Sequence, residues 1–68
     1  MRVNRDRLDL CMARVCLNTA SLANAAGLPV QTVNGARRGR NIRPATLGKI
    51  SKALGVDPGD IIETEEKQ

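Results

Sequence analysis

Four arginines fall within seven residues, at Arg37, Arg38, Arg40 and Arg43. A guanidinium stays charged at any physiological pH and donates from a planar fork, so such a cluster suits phosphate oxygens. Val30, Gln31 and Asn34 stand just before it. Glutamine and asparagine amides can bond an adenine edge bidentately, and a valine methyl can touch the methyl of thymine. Acid–base and metal chemistry find little material here, since the chain has no histidine and two cysteines. Its six glycines are scattered, with no glycine-rich phosphate loop, and no nucleophile stands beside a base. An enzyme is the poorest reading; no catalytic residue, metal or cofactor is expected.

The elements that hold these residues are two short helices across a tight turn, from Asn18 to Gly39. Asn18 is the predicted N-cap, its side-chain oxygen accepting from the first free N–H groups. Leu22, Ala23 and Ala26 share one helical face. Gly27 is the stop, because a left-handed backbone is cheapest without a Cβ. Leu28 plugs the turn and Pro29 pre-sets φ for the next helix. Val33 and Ala36 face inward on that helix, leaving Val30, Gln31, Asn34 and Gly35 largely outward. A helical hairpin with a merely solvated face fits the same pattern, since polar residues are the default on a surface helix.

The chain has 68 residues and net charge +4. That length makes one small domain, which buries about 60% of the surface its unfolded chain exposes. With no Phe, Tyr or Trp, the core must be aliphatic. Charge is graded along the chain: residues 1–56 hold ten Arg and Lys against two Asp, net +8, and residues 57–68 hold five acids against one Lys, net −4. The basic part favours a polyanion partner. No apolar run approaches the ~20 residues that span a bilayer, and the charged N-terminus lacks a signal-peptide pattern. The expected place is the cytoplasm, with no membrane association.

In order, Met1 to Asn4 are read as frayed or as a lead into a cap at Asn4. Arg5 to about Val15 is the first predicted helix, with Leu8, Cys11, Met12 and Val15 as its buried stripe. Cys11 and Cys16 lie about 140° apart on a helix at 100° per residue, which disfavours a disulfide. They read as reduced cysteines in or beside the core. Pro44 opens a helix over 44–54 with Leu47, Ile50, Ala53 and Leu54 inward, and Gly55 closes it. Asp57 caps a last short helix with Pro58 at its first position, and Ile61 and Ile62 close the core. Residues 64–68 read as a disordered acidic tail beyond a domain over 1–63.

Taken as an ordered set, Leu22-Ala23, Gly27-Leu28, Thr32-Val33, Gly39-Arg40 and Arg43-Pro44 resemble the helix-turn-helix domain of the Cro and lambda-repressor family. That family is also known as the xenobiotic-response-element family. The run Leu47, Ile50 and Ala53 to Ile62 is similar to the same family's fourth and fifth helices, so the likeness spans roughly residues 5 to 63. It implies an all-α, compact five-helix fold with the helix-turn-helix at helices two and three. It also implies a sequence-specific regulator of double-stranded DNA in bacteria, with helix three in the major groove. Val30, Gln31 and Asn34 would then face bases. Asn18 and Thr19, at the start of helix two, would meet a phosphate, as would Thr32, Arg37, Arg38, Arg40 and Arg43. Arg37 and Arg38 also complement the helix dipole, worth ~0.3–1 kcal/mol, without any DNA.

Three features depart from the family. Cys16 stands where glycine is usual, which predicts a turn that is strained or differently shaped. The family's ion pair between an Arg on helix one and a Glu late in helix three maps onto Met12 and Arg37, so both halves look absent, with Arg37 freed toward the DNA backbone. Gly35 replaces a larger base-contacting residue, either for close backbone approach to DNA or as drift at a tolerant surface site. Family members usually bind as dimers, and a homodimer is expected around Ile61, Ile62 and helix four. Repression is favoured over activation because so small a chain has little surface for recruiting polymerase. An antitoxin-like module that binds a partner protein is the alternative use of the same fold.

Overall fold

The computed structural model describes residues 1–63, and the acidic tail read at 64–68 lies outside them. Four α-helices follow in order: α1 (Arg5–Arg14), α2 (Thr19–Ala26), α3 (Val30–Arg37) and α4 (Pro44–Leu54). The expected fifth helix is a single 3₁₀ turn, Pro58–Asp60. Its Asp57 cap accepts from Gly59 N–H at 2.9 Å as anticipated, but the chain turns away after three residues to bury Ile61. Among the described residues the only pairing of strand type is one antiparallel bridge, Val3 with Ile62. No described helix is long and apolar enough to cross a membrane.

Asn4 and Asn18 cap α1 and α2, accepting from the N–H groups of Arg7 at 3.0 Å and Ser21 at 2.8 Å. Each satisfies one of the donors that a helix start leaves open. Leu8, Leu22, Val33, Ile50 and Ile61 are completely buried where the four helices and the final turn meet. Helix α2 packs on both α3 and α4, so the hairpin is braced from behind. Ile61 therefore belongs to the interior and is not available to a dimer interface; Ile62 is half-buried. Val15, expected in the buried stripe, caps α1 and is 43% exposed.

The first residues are not frayed. Val3 is 2% exposed within the core. Backbone hydrogen bonds run from Asn4 N to Ile61 O at 2.7 Å, from Glu63 N to Arg2 O at 2.7 Å and from Ile42 N to Met1 O at 2.6 Å. The N-terminal segment thus ties the loop after α3 to the end of the domain.

All four helices stop by one device. The residue after the last turn adopts a left-handed backbone: Cys16 (φ 59°), Gly27 (70°), Gly39 (90°) and Gly55 (71°). The next N–H reaches back to a carbonyl five residues earlier: Leu17 to Met12, Leu28 to Ala23, Arg40 to Gly35 and Val56 to Ser51, at 2.9–3.0 Å. This is the Schellman closure, which satisfies carbonyls the helix end would leave open.

Candidate nucleic-acid interface

Helix α3 is fixed from its inner side by Val33 and Ala36, both fully buried. Its outer side then follows from helical spacing. Val30 is 41% exposed, Gln31 is exposed, and Asn34 and Gly35 are half-buried. Two shallow hollows flank this surface. One is bordered by Gln31, Thr32, Gly35 and Arg40 and the loop residues Asn41 and Ile42. The other is bordered by Gln31, Asn34, Gly35, Arg38 and Arg40. Three residues read from the sequence as base-facing or phosphate-facing, Gln31, Asn34 and Thr32, thus share one surface with Arg38 and Arg40. Val30 sits at the first position of α3, and Arg43 is exposed at the N-cap of α4, outside both hollows.

Arg37 is the exception among the four arginines. Its Nε donates to Asp9 Oδ1 at 3.0 Å, and its Nη1 donates to Thr19 Oγ1 at 3.1 Å. The side chain is only 28% exposed. The expectation that this ion pair had vanished, leaving Arg37 directed to DNA, is therefore corrected. An ion pair between helix one and helix three is present with the signs exchanged: the acid is on α1 and the arginine on α3. The partner is Asp9, one turn before Met12, and Met12 fills the core as expected at 6% exposure. The missed signal was an acid on the face of α1 adjoining Met12. Arg5 adds a longer contact to the same carboxylate, 3.8 Å, from a well-exposed side chain and hence of little weight.

The start of α2 is shaped by this pair. Thr19 Oγ1 accepts from Arg37, which leaves its own hydroxyl hydrogen to donate elsewhere. Asn18 spends its side-chain oxygen on Ser21 N–H, which leaves its amide NH2 as the outward donor. Among the described residues no carboxylate pairs with Arg38, Arg40 or Arg43.

A braced helical hairpin with exposed amides and unpaired guanidinium groups on one side defines a helix-turn-helix nucleic-acid-binding domain. The chain belongs to the Cro/C1-type HTH DNA-binding domain family, whose sequence profile matches residues 7–67. It is similar in structure to the restriction-modification controller protein C.AhdI from Aeromonas hydrophila. The TM-score is 0.75 and the identity 30%, over 82% of this chain and 86% of that one. It also superposes on part of hydroxyethylphosphonate dioxygenase PhpD, in a cadmium-containing form (TM-score 0.82) and in a mutant form (TM-score 0.83), each at 24% identity. Those matches cover 98% of this chain and 15% of the dioxygenase chains, and they are likenesses of fold. No curated protein matches at a significant level. The chain thus carries a Cro/C1-type helix-turn-helix DNA-binding domain.

Proposed function

We propose that the protein is a sequence-specific transcriptional repressor that lays α3 in the major groove of its operator. The observation that carries this reading is the single surface shared by Gln31, Asn34, Arg38 and Arg40 around one hollow of α3. Amides there are suited to adenine edges, and Val30 at the leading end of the helix is suited to a thymine methyl. Thr19 and the amide of Asn18, at the N-terminus of α2, donate to a phosphate; Thr32 donates to another. Arg38 and Arg43 supply the salt-dependent attraction. Repression follows from occupancy, because a protein seated in the groove excludes others from that stretch of DNA. One helix-turn-helix reads few base pairs, so two copies on a two-fold-symmetric site are the expected arrangement. The likeness to a restriction-modification controller supports a regulatory role.

The alternative reading, a module that binds another protein, has one observation in its favour. Leu10 is 57% exposed on α1, beside a groove bordered by Arg7, Cys11, Arg14 and Asp60. Selection of bound duplexes from a random DNA pool near physiological salt separates the two. An enriched motif with two-fold symmetry establishes the operator and reports the dimer through its half-site spacing. Retention of DNA without enrichment overturns specific recognition and moves the protein-binding reading ahead.

A further inference from the structure

We infer that Arg40 is a specificity-determining residue, whose stem lies across Gly35 and whose guanidinium reads a guanine from the outer side of α3. The inference deepens the DNA-binding reading and rests on it.

The four helix ends supply the first argument. Each has a residue just after the left-handed position that donates back into the helix. At the ends of α1, α2 and α4 that residue is apolar, Leu17, Leu28 or Val56, and packs against the core. At the end of α3 it is Arg40, and it is exposed. The place where the other three helices anchor themselves is given over to a cation.

Gly35 supplies the second. Glycine in a helix interior lowers stability relative to alanine. The backbone at Gly35 does not call for glycine, since its φ is not positive. A Cβ built there would come within 3.3 Å of one atom outside the helix, Arg40 Cδ. The stem of Arg40 thus lies against position 35, and a Cβ there would require it to give by a few tenths of an ångström. Arg40 also borders both hollows beside Gln31, the residue they share with it along with Gly35. Arg40 reaches the reading surface from the loop, in place of a residue missing from the helix.

The chemistry then selects the base. A guanidinium fork matches the O6 and N7 acceptors of guanine, and a good bidentate contact discriminates against a wrong base by roughly 5- to 150-fold. A phosphate contact behaves differently: it lowers affinity for every sequence alike and reduces the log–log salt slope by about 0.9.

The test repeats the duplex selection with the full chain, alongside Arg40→Ala, Arg40→Lys and Gly35→Leu. The wild-type motif is expected to hold a guanine position in each half-site. Arg40→Ala should erase that position alone, cutting discrimination there to under about twofold while the others persist. Arg40→Lys keeps the charge but not the fork, so it should weaken the guanine position with the salt slope unchanged. Gly35→Leu should displace the stem and erase the same position with Arg40 still present. Circular dichroism would confirm that each variant is folded. If Arg40→Ala leaves every position intact and flattens the salt slope by about 0.9, Arg40 is a phosphate contact and the inference falls alone. If the guanine position survives Gly35→Leu, it falls likewise. If the wild type enriches no motif, it falls together with the DNA-binding reading.

Discussion

The ends of α1 and α3 close with the same backbone hydrogen bonds, yet each departs from the other helix ends at a different residue. At α1 the departure is in the left-handed residue itself, Cys16 instead of glycine. At α3 glycine is kept, and the next residue changes from apolar to Arg40. The two departures differ in kind. A side chain forced to φ 59° carries a steric cost wherever it points, and Cys16 is exposed and free. Arg40 has no such conflict, and it is exposed and borders the same hollow as Gln31 and Asn34. A broken local rule signals function only where it delivers a group to a useful surface. The end of α3 is also tied to the middle of α1, because Arg37 in the last turn of α3 holds Asp9.

That tie gives the largest expected effect. Arg37→Ala should destabilise the domain by about 1–2 kcal/mol, the range for a charge-assisted hydrogen bond that is partly screened. Asp9→Ala should cost somewhat less. The double variant should reveal a coupling of about 1 kcal/mol in urea unfolding. Additive single effects would mean that α1 and the end of α3 are not coupled through this pair.

Residues with a local rationale were legible in the sequence. The caps at Asn4 and Asn18, the stops at Gly27 and Gly55 and the bounds of α4 follow from chemistry within one helical turn, and all appear in the fold. The strain at Cys16 was visible through the family's usual glycine. What escaped were pairings between distant positions. Val3 with Ile62, and Asp9 with Arg37 across 28 residues, leave no periodic trace in so short a chain. Arg37 looked like its three neighbours because composition counts charges without saying which way each side chain faces. The same limit hid Arg40, whose relation to Gly35 depends on how the chain leaves α3. Apolar periodicity places Ile61 in the core, and a fully buried side chain cannot also serve an interface.

A second variant tests the cost at α1 directly. Cys16→Gly removes the Cβ that conflicts with a left-handed backbone, worth about 1 kcal/mol after glycine's larger unfolded-state entropy is set against it. For a domain of this size that is a rise of roughly 4–8 °C in melting temperature. A fall in melting temperature would show that Cys16 makes a compensating contact, and the end of α1 would no longer be a plain cost. Placed in the Arg37→Ala background, the same change restores stability without restoring the ion pair. DNA binding by that double variant then separates loss of fold from loss of Thr19 positioning.

The smallest effect distinguishes adjacent arginines at the end of α3. Arg38 is exposed and unpaired, whereas Arg37 already shares its charge with Asp9. Counterion release counts only charges that neutralise phosphate, so Arg38→Ala should reduce the log–log salt slope by about 0.9. Between 50 and 200 mM salt that amounts to about a 3.5-fold difference in relative affinity. Arg37→Ala should weaken binding with little change in slope, because the charge it removes is paired within the fold. Titrations by fluorescence anisotropy on a labelled duplex at four or more salt concentrations resolve the two. Equal losses of slope would place Arg37 on the phosphates after all, which requires its bond to Asp9 to open on DNA. An unchanged slope for Arg38→Ala would remove Arg38 from the contact set and leave Arg43 as the exposed arginine assigned to phosphate.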